Sequence, residues 1–295
     1  MTSDKELRAG LVGYGKIARD QHVPAIAATP GIRLAAVADP FAQAEGVASF
    51  PDLATMLASG PALDVVIMCQ PPAVRDAAAR MALAAGQHVF LEKPPGLTAT
   101  AAAGLADLAS EAGLSLFTAW HSQEAAGVVA ARAFLAEATI RAVRIDWKED
   151  VRVWHPGQTW IWREGGFGVF DPGINALSIL TAIMPEPVAV RSARLWVPEN
   201  CETPIAAHVT MSGASGVPVE ADFDFRQTGP QSWDVRVETD RGELLLSHGG
   251  NGLTIDGQGQ ELGEEAEYRR LYARFVELVR AGESGVDLAP LQVVD

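Results

Sequence analysis

From residue 7 to residue 118 the apolar positions come in short unbroken runs, and between the runs lie alanine-rich stretches with helical periodicity. The runs Leu7–Val12, Arg33–Ala38, Asp64–Cys69, Val89–Leu91 and Leu114–Thr118 read as strands. The stretches Lys16–Ala28, Asp52–Ala58, Ala73–Ala85 and Thr98–Ala112 read as helices. Strands alternating with helices predict βαβ units and a parallel sheet. Such a sheet is covered on both faces, which suits a continuous run such as Val65-Val66-Ile67-Met68 better than strict alternation.

After about His121 the rhythm changes. A helix is expected over Glu124–Glu137, a long strand over Ile140–Val151, a Trp- and Gly-rich loop over Arg152–Gly168 and a helix from about Pro172 to Ile183. Val188–Val197, Ala206–Met211, Val217–Phe225, Asp234–Thr239 and Gly242–Ser247 then alternate as antiparallel strands joined by turns such as Asp240-Arg241-Gly242. An amphipathic helix, Glu267–Arg280, is expected to close this second domain. The fold class is thus α/β: a dinucleotide-binding domain over 1–122, then an α+β domain over 123–295 with a large, open, mostly antiparallel sheet. The open sheet offers a face through which two copies could pair as a homodimer.

Composition narrows the partners. The 295 residues carry a net charge of −14, which argues against nucleic acid and anionic membranes. No apolar run reaches the roughly 20 residues of a membrane helix, and no signal-peptide pattern precedes the first strand, so the cytoplasm is expected. The two cysteines, Cys69 and Cys201, form no C-x-x-C pair, and no metal site is expected.

Gly13-Tyr14-Gly15-Lys16-Ile17-Ala18 is a G-x-G-x-x-A string between a predicted strand and a predicted helix. Gly13 permits the tight turn, Gly15 lets backbone approach a pyrophosphate, and Ala18 allows close helix–strand packing. Asp39 ends the next strand, 21 residues after Ala18. Its carboxylate can accept from the adenosine ribose hydroxyls and would repel a 2′-phosphate, and Pro40 follows it rather than an arginine, so NAD is favoured over NADP. The plainer alternative is a turn aspartate before proline. Gln70 and Pro71, at the exit of the third predicted strand, and Glu92 and Lys93, at the exit of the fourth, complete the cofactor candidates.

The glycine loop, the Glu92-Lys93-Pro94 string and the open-sheet second half together resemble the glucose–fructose oxidoreductase/inositol dehydrogenase (Gfo/Idh/MocA) family over essentially the whole chain. Within it, Gly15–His22, Trp120-His121-Ser122, Trp147-Lys148-Glu149-Asp150 and Asp171–Leu177 are similar to the bacterial D-galactose/L-arabinose 1-dehydrogenases. The resemblance implies a Rossmann domain and NAD(P)-linked oxidation of a pyranose at C1. Two departures matter. NADP-using members carry a small polar residue and an arginine where this chain has Asp39-Pro40, and many members carry a histidine where this chain has Asn175. An amide cannot act as general base. Leu291–Asp295 fall where related enzymes begin a final helix.

Oxidation of a hemiacetal needs a base at the anomeric hydroxyl and a group that stabilises developing negative charge. Asp171 is the candidate base, with Asn175 one turn along the same helix face; the structural alternative makes Asp171 an N-cap before Pro172. Lys93 would lower the hydroxyl's pKa by its charge. Glu149 is expected to hold sugar hydroxyls in a bidentate manner and His155 to bond another, although Glu149 also sits in a charge run with Lys148 and Asp150. Trp154 and Trp233 are put forward as stacking faces because the resemblance places them near the ligand; Trp160 and Trp162 are left to the core. His121 is assigned to the cofactor or sugar edge, and Gln21 and His22 to capping or packing of the first helix. Two rival classes stay open: a non-catalytic, cofactor-binding regulator of sugar genes, and an inositol- or dihydrodiol-type dehydrogenase.

Overall fold

The computed structural model describes residues 5–295. They divide into two compact units: one takes the chain up to Ala119 and returns for Tyr268–Leu288, and the other comprises Trp120–Glu267 and Ala289–Asp295.

The first unit is built on a parallel sheet of β1 (Leu7–Val12), β2 (Ile32–Ala38), β3 (Ala48–Phe50), β4 (Val65–Met68), β5 (His88–Glu92) and β6 (Leu116–Ala119). Its order is β3-β2-β1-β4-β5-β6, the doubly wound arrangement expected from the alternation. Its helices are α1 (Val23–Ala28), α2 (Leu53–Ser59), α3 (Pro72–Ala84) and α4 (Ala99–Glu111). β4 is buried at all four positions, as a central strand covered on both faces must be. One sheet face packs on Leu53 and Met56 of α2, Ala79, Ala82 and Leu83 of α3, and Leu105 and Ala109 of α4. The expected helix over Lys16–Ala28 is continuous, with a π segment at Ala18–His22 between helical Lys16–Ile17 and α1. Pro24 has no N–H to continue the α ladder, and the periodicity alone did not register the change of pitch ahead of it. β3 is only three residues long and carries too little pattern to be read.

The second unit opens with α5 (Ala126–Leu135) and β7 (Ile140–Lys148), followed by α6 (Val151–Trp154) and α7 (Phe170–Ile183). Seven more strands follow: β8 (Val188–Trp196), β9 (Ala206–Gly213), β10 (Pro218–Asp224), β11 (Ser232–Thr239), β12 (Gly242–Ser247), β13 (Gly252–Ile255) and β14 (Gln258–Gly259). Their sheet runs β14-β13-β12-β11-β7-β10-β9-β8, antiparallel except where β7 and β10 pair in parallel. α5 and α7 bring Val128, Ala131, Leu177, Ile179 and Leu180 to the core against Ile145 and Val143 of β7, Val209 of β9 and Val235 of β11. β13 and β14 were hidden by the glycines around them.

Two helices remain, α8 (Glu267–Ala281) and α9 (Ala289–Val294). The sequence places α8 in the second domain, but from Tyr268 onward the structure gives it to the first unit. Its apolar stripe of Tyr268, Leu271, Tyr272, Phe275 and Val276 covers the sheet face made by Ala9, Leu11, Phe90 and Phe117, with the Tyr272 and Phe90 rings stacked 4.9 Å apart. The stripe announces an amphipathic helix but does not say which apolar face it will cover. The compact units thus run differently from the ranges 1–122 and 123–295, with the chain returning to the first unit over Tyr268–Leu288. Among the described residues no helix is long and apolar enough to cross a membrane.

Candidate active site

In the first unit, the loop after β1 has the geometry its glycines demand. Gly13 has φ +89°, and a Cβ there would stand 2.6 Å from the Gln70 backbone nitrogen, so only glycine fits. At Gly15 a Cβ would meet nothing within 4 Å, so the backbone borders open space. Ala18 is fully buried, whereas Ile17 and Lys16 are exposed, Lys16 pairing with Asp20. The Tyr14 N–H donates to Asp39 Oδ2 at 2.8 Å, and the Phe41 and Ala42 N–H groups donate to Oδ1 at 2.8 and 2.9 Å. Asp39 therefore ties the glycine loop to its own turn, which realises the turn role as well. A carboxylate has about four acceptor sites, so one on Oδ2 remains for a ribose hydroxyl. Gln70 is buried and its Oε1 has no protein partner, while Pro71 beside it is exposed. Open space at Gly15 and an orphaned amide oxygen at Gln70 fit a dinucleotide along this edge.

Glu92, at the end of β5, is buried and accepts from Tyr268 Oη at 2.6 Å; His22 Nε2 lies 3.4 Å away and His22 Nδ1 is 2.7 Å from Tyr272 Oη. His22 thus joins the core beneath α8 rather than capping the first helix. Lys93 follows on the loop, partly buried.

Arg75 was missed in the sequence. Its buried guanidinium donates to the backbone carbonyls of Gln70 (Nη2 at 2.5 Å), Glu92 and Pro94. It thereby clamps together the strand-end loops that carry Gln70 and Lys93. The signal was present: Arg75 falls on the stripe Pro72, Arg75, Ala79, Ala82 and Leu83 of α3, and a charged residue on a buried stripe needs fixed partners. Arg75→Met should leave these carbonyls unsatisfied at about 1–3 kcal/mol each. We expect kcat to fall about 10–10²-fold as the Lys93 loop loosens, with Arg75→Lys rescuing poorly because an ammonium lacks the planar fork. Steady-state kinetics beside thermal melting would check this; wild-type kcat in a folded Arg75→Met protein would remove the positioning role.

In the second unit, β7 alternates. Arg144, Asp146 and Lys148 lie on one face; Ile145 and Trp147 are buried on the other, and Glu149 continues that inner face at 2% exposure. Trp147 and Trp233 are register partners, which sets their rings side by side, 6.1 Å apart and 27° from parallel. Trp154, 43% exposed, packs on Trp233 at 4.7 Å. Both Glu149 oxygens have protein partners: Oε2 accepts from Trp233 Nε1 at 2.8 Å and Oε1 lies 2.9 Å from His155 Nε2. Each oxygen keeps a second acceptor site. His155 packs on the Phe225 ring at 5.4 Å, and its Nδ1 is 3.7 Å from Asp171 Oδ2.

Asp171 is 6% exposed and lies inside the first turn of α7, whose cap position is Val169. It is not the N-cap, because the helix begins before Pro172 rather than at it. Asn175 follows one turn on, partly buried. The structure thus brings Glu149, His155, Asp171, Trp154 and Trp233 into one connected group. His121 is engaged with Glu267, Nδ1 to Oε2 at 2.9 Å, and Glu267 also accepts from Asn251. Trp160 and Trp162 pack against the core as expected.

A glycine-loop, doubly wound unit followed by an open-sheet unit is the build of a two-unit dinucleotide-binding protein. The chain belongs to the Gfo/Idh/MocA oxidoreductase family: the model for that family's NAD-binding Rossmann fold matches residues 7–119, and the relative described next matches nearly the whole chain. The chain is 47% identical to the galactose 1-dehydrogenase of Pseudomonas fluorescens over 289 residues, covering 98% of this chain and 93% of that protein. The crystal structure of a D-galactose-1-dehydrogenase protein from Rhizobium etli matches with a TM-score of 0.94 and 51% identity, covering 100% of this chain and 94% of that one. A 3-ketoreductase from Actinomadura kijaniata shares the fold alone, at 17% identity and a TM-score of 0.85 over 98% of this chain and 94% of that one.

Proposed function

We propose that this protein is an NAD-dependent aldose 1-dehydrogenase that oxidises the anomeric carbon of a galacto-configured pyranose (D-galactose, L-arabinose or D-fucose) to the aldonolactone. The observation that carries the reading is the 47% identity to a galactose 1-dehydrogenase over 98% of the chain. Gly13, Tyr14, Gly15, Lys16, Ile17, Asp39, Gln70, Pro71, Glu92 and Lys93 would hold the dinucleotide. NAD, when bound, supplies the hydride acceptor. Asp171 takes the proton of the anomeric hydroxyl, and the ammonium of Lys93 lowers that hydroxyl's pKa. Trp154 and Trp233 offer flat apolar faces to the C–H surface of the ring, and Glu149, Asn175, His155 and His121 are the polar groups proposed for its hydroxyls or, for His121, for the cofactor edge.

Pairing of two copies is part of the same proposal, supported by the edge strand β8, whose Val190, Leu195 and Trp196 are exposed. The cytoplasm is proposed as its location.

NADH absorbance with a panel of sugars tests the reading. D-galactose, L-arabinose and D-fucose should be oxidised, and D-glucose should be slower by roughly 10² in kcat/KM, because inversion at C4 leaves a polar contact unpaired. Glucose equal to galactose would remove the C4 contact. Turnover of inositol alone would move the chemistry to another ring carbon, and cofactor binding with no turnover of any sugar would make the protein a regulator.

A further inference from the structure

Strand parity sends Glu92 beneath α8. Phe90 and Glu92 alternate with Leu91 along β5, so both side chains leave the sheet on the face that α8 covers. Tyr268 and Tyr272 lie four residues apart on one face of α8, and their hydroxyls are the polar tips of an otherwise apolar stripe. The Tyr268 O–H donates to Glu92 Oε1 at 2.6 Å. His22 ends the π segment, is fully buried like Ala18, and sets its ring edge-on to Tyr268 at 4.9 Å. Its Nε2 has no hydrogen-bond partner among the described residues and stands 3.4 Å from Glu92 Oε1. An ionised carboxylate only accepts, so the ring nitrogen that faces it carries N–H, and in the neutral ring Nδ1 accepts from Tyr272 Oη at 2.7 Å. Burial, with Cys69 and Glu92 nearby, holds the Tyr272 hydroxyl well above its ordinary pKa, so it keeps the proton it donates.

We infer that His22, Tyr268 and Tyr272 are positioning residues for Lys93, acting through the side chain of Glu92. The inference rests on the reading of Lys93 as the group that lowers the hydroxyl's pKa. A carboxylate as buried as that of Glu92 is costly unless its oxygens are engaged, so the end of β5 must stay where the Tyr268 hydroxyl and the His22 ring meet it. Arg75 donates to the carbonyl of the same residue. Glu92 is therefore held at its side chain from above the sheet and at its carbonyl from α3, and the peptide group that leads to Lys93 has little freedom left. Without the Tyr268 O–H or the His22 ring, the carboxylate must find another partner, and it reaches water only if the end of β5 shifts. A shift of about 1 Å in a reacting group can cost about 10² in rate. Phenylalanine at 268 and 272 would cover the sheet equally well, so coverage does not explain the two hydroxyls. A helix that begins about 175 residues after Glu92 thus sets where the lysine stands.

Steady-state kinetics with NAD and galactose, beside thermal melting, test this in wild type, Tyr268→Phe, His22→Gln, His22→Leu, Lys93→Met and the double variant Tyr268→Phe with Lys93→Met. Tyr268→Phe keeps the ring and removes only the donor. It and His22→Leu should lower kcat about 10–10²-fold, with KM for NAD and for galactose within about twofold of wild type. His22→Gln can return an N–H to the place of Nε2 and should recover most of the loss seen in His22→Leu. Lys93→Met should lose about 10²–10³ of kcat. In that background Tyr268→Phe should cost less than about twofold, because no lysine is left to position. A purely structural role would instead lower the melting temperature and cost the same factor in both backgrounds. That result, a raised KM for NAD with kcat kept, or wild-type kcat in folded Tyr268→Phe and His22→Gln would each overturn the inference, while a slow Lys93→Met leaves the reading of Lys93 standing. Near-normal turnover in Lys93→Met would remove the role of Lys93 and this inference with it.

Discussion

Asp171→Asn is expected to lose about 10²–10⁴ of kcat, the usual cost of removing a general base, while NAD binding and thermal stability stay near wild type. The substitution changes the carboxylate and little else. Asp171 lies inside the first turn of α7 and its N–H donates to Gly168 O at 3.0 Å, so the backbone bond is indifferent to the side chain. Because Val169 occupies the cap position, no cap is removed. The amide also keeps a polar group beside His155, although it cannot accept the anomeric proton. The pattern to look for is a fall in kcat that kcat/KM follows equally, the mark of an interaction made only in the transition state. Near-normal turnover, together with abolished turnover in Glu149→Gln, would transfer the base to Glu149.

The second large effect concerns the cofactor. The unmodified protein should favour NAD, and Asp39→Ser with Pro40→Arg should swing the ratio of kcat/KM values toward NADP by about 10²–10³. Roughly half of that swing, on a logarithmic scale, comes from removing the carboxylate that would repel a 2′-phosphate. The rest comes from an arginine–phosphate bond of about 1.5–3 kcal/mol, equivalent to about 10–10². The structure adds an asymmetry. Asp39 also accepts from the N–H groups of Tyr14, Phe41 and Ala42, so Asp39→Ser loosens the turn and lowers absolute efficiency with both cofactors. Efficiency with NAD should therefore fall further than efficiency with NADP rises. Equal use of the two cofactors by the unmodified protein would show that the charge of Asp39 does not decide between them.

The sequence by itself determined what local sterics and periodicity control. A run such as Val65–Met68 suits a strand buried on both faces, and the string from Gly13 to Ala18 suits a tight strand-to-helix turn, because glycine alone takes a positive φ such as the +89° of Gly13 at no cost. The alternation of β7 would also have shown that Glu149 shares the inner face of Trp147 while Lys148 points the other way, had the charge run not obscured it. The tertiary structure decided what depends on which surfaces meet. The apolar stripe of α8 is legible as a stripe, but its burial against Phe90 and Phe117 depends on a sheet face more than 150 residues earlier. Arg75 reads as a helix arginine until the carbonyls of Gln70, Glu92 and Pro94 converge on it. Glu149, His155, Asp171 and Trp233 are separately plausible in the sequence. Their order, indole to carboxylate to imidazole to carboxylate, comes from strand register and a helix start, because hydrogen bonds are satisfied by groups near in space and the chain's numbering does not record that distance.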